Sequence, residues 1–191
     1  RLEAIVAASW LNPKEGLPIV QEAAKKPIDT WIQPFYETAL KHLKGETIPT
    51  EKWSTPETTL TGRARKLYLQ GAEIYRREGH CITCHQENGQ GLPAAQFPPL
   101  AESEWVSGDR NRLIKLTLHG LLGPIKVKGV AYQGLVPMTP FKGLSNEELA
   151  SVLTYVRNSF GNEASSIQPE HIEAIRKATR DQKGFLRSED L

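Results

Sequence analysis

The chain's only two cysteines stand three residues apart in "HCITCHQ", residues 80 to 86, with a histidine directly behind the second. Three chemistries use a Cys-x-x-Cys pair. A redox dithiol would sit where a strand runs into a helix. Here a helix-like stretch leads in and the loop "QENGQGLP" leads out. A tetrahedral zinc ion needs two further ligands. No other cysteine exists, and His42, His80, His119 and His171 show no H-x(3–5)-H spacing. A c-type haem needs both sulfurs as thioether anchors and the next residue as an imidazole for the iron. Cys81, Cys84 and His85 meet that requirement, and the expected cofactor is one covalent haem c.

Such a haem also takes a second axial ligand. The single methionine, Met138, lies in "GLVPMTPFKGL", 53 residues after His85. That is enough chain to wrap from one haem face to the other. Pro137 and Pro140 stiffen its loop. A thioether opposite an imidazole favours ferrous iron and raises the potential. His119 is the alternative ligand, although "LIKLTLHGLLG" reads as a helix end, where a histidine followed by glycine suits the C-terminus.

Residues from about 62 to 162 resemble a class I cytochrome c. The matching pieces are "GAEIYRREGHCITCHQENGQG", "FPPLAES", "VPMTPF" and "LSNEELASVLTYVRNSFGN", in family order. The resemblance implies an all-α fold around one covalent haem, with electron transfer as its activity. It also implies that the first and last helices of this region cross at Gly71. Finally, it implies that a proline carbonyl after the haem motif receives the Nδ1 proton of His85. In "FPPL" that places Pro99 at the site, with Pro98 the second choice.

Around this region the composition is that of an ordinary globular chain, 39% hydrophobic and 24% charged. No apolar run approaches the length of a membrane span. No basic run with interleaved aromatics points to nucleic acid. Residues 61–162 carry 12 Lys or Arg against 8 Asp or Glu, and the flanking parts are each −1. A mildly basic surface can steer an acidic redox partner. The chain opens at "RLEAIVAASW", in helical rhythm and without an export signal. The expectation is a piece of a longer, exported bacterial protein, with a periplasmic location.

Four segments follow from the patterning. Residues 1–44 hold three helical stretches, "RLEAIVAASWL", "GLPIVQEAAKK" and "TWIQPFYETALKHLKG". Asp29 is a candidate N-cap for the third, and Pro34 moves its start to Gln33. Ile32, Phe35, Tyr36, Ala39, Leu40 and Leu43 then share one apolar face. These helices are similar to the end of a HEAT-type repeat array, as found before the cytochrome c of large secreted bacterial dehydrogenases. On that reading the first helix keeps an apolar face without a partner.

Residues 45–60, rich in Thr, Pro and Glu, read as a linker or an extended wrap in which Trp53 docks on a surface. The cytochrome-like region, 61–162, begins with a helix carrying Leu67, Gly71, Ile74 and Tyr75 on one face. It ends with one started by the Ser145/Glu148 capping box and lined by Leu149, Val152, Leu153 and Val156. Between them "NRLIKLTLHGLLG" forms a helix and "IKVKGVAYQG" a hairpin. Residues 163–191 add one helix, "QPEHIEAIRKATRD", and an irregular end.

Filled axial positions leave iron no place for substrate, so outer-sphere electron transfer is the expected function. The expected partners are an electron-donor dehydrogenase domain and an acceptor such as another cytochrome or a terminal oxidase. The alternative is a peroxidase-like haem enzyme with a labile sixth ligand. A third class is an interaction module with a degenerate cytochrome. Trp105, Arg110, Arg112, Lys126, Lys128 and Tyr132 are candidate donors to the haem propionates.

Overall fold

The computed structural model describes residues 2–9, 11–28, 32–46, 57–77 and 79–191. The expected roles of Asp29 and Trp53, and most of the 45–60 linker, lie outside those residues. The chain forms two compact units, Arg1–Ser54 and Thr55–Leu191.

The first unit contains α1 (Leu2–Ser9), α2 (Pro13–Ala23) and α3 (Gln33–Leu43). The second helix starts three residues earlier than its apolar pattern indicates. Asn12 caps it by accepting from Glu15 N–H, and Pro13 takes the first turn, where no N–H is required. Ile5, Ala8, Val20, Ile32, Ala39 and Leu43 close a small core, so the inner face of α1 is covered from within its own unit. Gly16 allows the close approach, because a Cβ there would lie 2.4 Å from the Ala8 carbonyl oxygen. Phe35 departs from the expected face and is 49% exposed, because the helix turns its Ile32, Ala39 and Leu43 stripe inward.

The second unit is built on the packing of α4 (Gly62–Tyr75) against α8 (Asn146–Arg157). Ser145 starts α8 through the expected capping box with Glu148. Gly71 sits at the crossing, where a Cβ would lie 2.0 Å from Ser151 O and 2.8 Å from Tyr155 Cβ. The absence of a side chain lets the two backbones meet, which offsets glycine's cost of about 1 kcal/mol in a helix interior. The rings of Tyr68 and Tyr75 pack on Tyr155 beside that crossing.

Between these helices run α5 (Cys81–His85), a 3₁₀ turn at Pro93–Ala95, α6 (Glu104–Ser107) and α7 (Arg110–His119). Two strands follow, β1 (Ile125–Val127) and β2 (Val130–Tyr132), paired antiparallel with Ile125 opposite Tyr132. The expected helix over residues 111–123 stops at His119 because Gly120 takes φ +74°. The last helix, α9 (Pro169–Ala178), buries Ile172, and Thr179 behind it is half-buried. The end of the chain is not irregular throughout, since Leu186 pairs in parallel with Leu121. Among the described residues no helix is long and apolar enough to cross a membrane.

Candidate functional site

The spacing of Cys81, Cys84 and His85 (i, i+3, i+4) puts all three on one face of α5. A turn delivers this short helix from the end of α4. Its links are Arg77 N–H to Ile74 O and His80 N–H to Arg77 O. Gln86, at φ 62°, stops the helix, and Tyr75 Oη donates to the Gln86 carbonyl at 2.7 Å. The face opens onto a cavity whose walls include Val106, Leu113, Leu116, Val127, Leu153 and Val156.

Burial pushes the Cys81 thiol up to about 12 and raises that of Cys84. A dithiol exchange site requires the reverse shift, toward the thiolate. Among the described residues no cluster of three His, Cys, Asp or Glu could hold a metal ion. His85 is buried, and desolvation lowers its pKa against the opposing pull of its hydrogen bond to Pro98. The ring is therefore neutral. Its Nδ1 lies 2.9 Å from the Pro98 carbonyl oxygen, which fixes the proton there and leaves the Nε2 lone pair free.

The orienting carbonyl is thus Pro98 and not Pro99. Leu92 and Phe97 exchange both backbone hydrogen bonds, at 3.0 and 3.1 Å, which sets the register of the following extended segment. Successive residues of such a segment face opposite ways. With Phe97 O directed at Leu92, Pro98 O faces His85. Gly91 makes room, since a Cβ there would lie 2.6 Å from Pro98 O. Pro99 lines the cavity without making this contact.

Met138 lines the same cavity as Cys81, Cys84 and His85. Its backbone pairs with Leu121, N–H to O at 2.9 Å and O to N–H at 3.4 Å. The alternative ligand, His119, is outside the lining. Its Nε2 is hydrogen-bonded to Thr179 Oγ1 at 2.8 Å, and that hydroxyl in turn donates to Ile175 O. Of the six candidate propionate donors, Trp105 and Tyr132 line the cavity, whereas Arg110, Arg112, Lys126 and Lys128 do not. Trp105 Nε1 already donates to Lys126 O at 2.8 Å, and Arg112 stacks on the Trp105 ring at 4.5 Å. Lys128 Nζ pairs with Glu102 at 3.0 Å.

Sequence reasoning passed over three residues that shape the site. His80 lines the cavity and packs on Phe141. Arg157, 3% exposed, donates to the carbonyls of Val106, Gly108 and Ser165. Asn162 accepts from Ser103 N–H and donates to Leu100 O and Val156 O. The last two tie α8 to the loops around the cavity. The buried end of an apolar helix face was the available sign for Arg157.

The residues present fit a covalent haem. Two thiols and an imidazole with a free Nε2 share one wall, and the other walls are largely apolar. The sequence profile of the cytochrome c family matches residues 68–160. A cytochrome c-552 of Thermus thermophilus is 41% identical over 124 residues, covering 62% of this chain and 80% of that protein. The cytochrome c subunit of the quinone alcohol dehydrogenase of Gluconacetobacter polyoxogenes is 33% identical over 97 residues, 50% of this chain and 20% of the subunit. The fructose dehydrogenase cytochrome subunit of Gluconobacter japonicus is 25% identical over 107 residues, 56% of this chain and 22% of that subunit. The chain belongs to the cytochrome c family, and the haem c which that family binds covalently fits the Cys81–Cys84–His85 helix.

Proposed function

We propose that this protein is a one-electron carrier whose single haem is anchored at Cys81 and Cys84 and ligated by His85 Nε2 and the Met138 thioether. The supporting observation is that His85, with its Nδ1 proton committed to Pro98, and Met138, the chain's only thioether, line one largely apolar cavity. The haem supplies the reversible Fe(III)/Fe(II) couple. Cys81 and Cys84 would hold it covalently, whatever ligates the iron. His85 would bind it through Nε2, with the ring orientation fixed by Pro98. Met138 would supply the further ligand and so keep substrate from the metal. The apolar walls keep water away and favour the ferrous form.

The carrier relays electrons from a dehydrogenase to an external acceptor, such as another cytochrome or a terminal oxidase, in the periplasm or another exported location. The dehydrogenase cytochrome subunits among its relatives support the donor class. The first unit, with its own core and the exposed side chains of Val6, Leu11, Ile19 and Phe35, fits a HEAT-like extension.

Denaturing mass spectrometry after co-expression with haem-maturation machinery should give the apoprotein mass plus one haem. The reduced protein should bind carbon monoxide slowly and weakly. Rapid binding would replace the carrier by a haem enzyme.

A further inference from the structure

Three segments distant in sequence meet beside Met138. Leu121 pairs antiparallel with Met138 on one side and parallel with Leu186 on the other. Leu122 N–H donates to Leu186 O at 2.8 Å, and Leu186 N–H donates to Gly120 O at 3.1 Å. Gly120 is the point of closest approach. At φ +74°, a Cβ on it would lie 2.4 Å from Met138 O and 2.8 Å from the Phe185 ring. The loop of Met138, the exit of α7 and the C-terminal tail therefore share one small ribbon. Leu186 is 5% exposed and Leu121 8%, so the ribbon is shielded from water.

A second tie comes from the same C-terminal region. Arg176, on α9, donates through Nε to Asn146 Oδ1 at 2.8 Å, through one terminal nitrogen to Lys142 O at 3.0 Å, and through the other to Leu144 O. Those acceptors lie in the segment that leaves the Met138 loop. Phe141 N–H, between them and Met138, donates to Thr117 O at 2.9 Å. The loop is thus held at Met138 itself and again where it runs on into α8.

We propose that Leu186 is a positioning residue for Met138. Acting through Leu121, which pairs with both, it holds the methionine backbone so that the thioether stays directed into the haem cavity. The proposal rests on Met138 being the axial ligand. It assigns residues 183–187 a part in setting the potential, rather than the passive role of an unstructured end. A thioether is a weak neutral ligand, so its persistence on iron depends on how tightly its loop is held, while the covalent cysteines do not.

The test uses the full holoprotein with Leu186→Pro, which deletes the N–H donated to Gly120, and a chain ending at Gln182. Leu186→Val, which keeps both backbone bonds, is the control. The expected results are haem retained in all three and, for Leu186→Pro, hydrogen exchange at the Met138 amide and carbon monoxide affinity each higher by about fivefold, with a larger change in the chain ending at Gln182, which loses both bonds. That factor is what one lost backbone hydrogen bond is worth. The charge-transfer band of thioether-bound ferric haem should weaken and the midpoint potential should fall, with Leu186→Val unchanged. A lower melting temperature with Met138 exchange, band and potential all at parent values would overturn the proposal and leave the tail as a stabiliser. Met138→Ala runs beside these variants. If it keeps the parent spectrum, the ligation reading fails and takes the proposal with it. If it loses the band while both tail variants keep it, the positioning role alone fails.

Discussion

The Nδ1 of His85 lies 2.9 Å from the carbonyl oxygen of Pro98, while the neighbouring Pro99 carbonyl is not its partner. One hydrogen bond therefore decides the tautomer of the imidazole, the plane of its ring and the basicity of its Nε2. Replacing either proline by alanine keeps a carbonyl at that position but frees φ. Pro98→Ala should loosen the bond, make Nε2 a weaker donor to ferric iron and raise the midpoint potential. Pro99→Ala should leave the potential closer to the parent. Redox titration of the pair checks the assignment, and equal shifts would show that the turn as a whole, rather than one carbonyl, sets the ring.

Gly71 offers a test of the scaffold. A methyl group there meets the Ser151 carbonyl oxygen at 2.0 Å, and that atom belongs to the α8 backbone and cannot swing aside. Alanine would gain roughly 1 kcal/mol of helix propensity. Separating α4 from α8 costs more, so Gly71→Ala should lose a net ~2 kcal/mol and about 5 °C in melting temperature. Thermal denaturation followed in the far ultraviolet measures it, with haem attachment expected to survive.

The parts legible in the sequence are those whose chemistry is local. Cys81, Cys84 and His85 must stand at fixed spacing to serve one haem, and Ser145 with Glu148 announces its helix within four residues. The choice between Pro98 and Pro99 was not legible. It depends on the Leu92–Phe97 pairing, which sets which carbonyl points inward. Asn12-Pro13 reads equally as a break and as a cap with a first-turn proline, and the fold uses the second. The four-residue α6 is too short to show a period. Leu186 looks like any residue of a polar tail until Leu121, 65 positions earlier, is seen beside it.

Glu148 gives a prediction in pH. The hydrogen bond from Arg77, at 2.7 Å, and the bonds with Ser145 hold its carboxyl down at about 2, against an ordinary value of 4.5. A depressed folded-state value means that the stabilisation is complete above pH ~4.5 and is lost as the pH falls toward ~2. Glu148→Gln retains a capping box but not the charge pairing. Both partners reach solvent, with side chains 28% and 46% exposed, so at neutral pH the change should cost less than ~1 kcal/mol. The difference between variant and parent melting temperatures should shrink toward zero on acidification to pH ~2. A difference independent of pH would mean that the ion pair contributes nothing.

Met138 carries the prediction on which the carrier function depends. The cysteines hold the haem without it, so Met138→Ala should stay coloured and keep its covalent haem mass. On the proposed ligation, loss of the thioether would remove a ligand that prefers ferrous iron, so the midpoint potential should fall, and the freed position should admit carbon monoxide readily. Met138→His separates loss of a ligand from a change of ligand. A second imidazole favours ferric iron, so that variant should be six-coordinate and also lower in potential, but closed to carbon monoxide. His119 is hydrogen-bonded to Thr179 outside the cavity lining and should not substitute in the alanine variant. Spectroscopy and redox titration of both variants decide the matter. A Met138→Ala protein with the parent axial spectrum and potential would place another residue on the iron, and the electron-relay function would then have to be rebuilt from that residue.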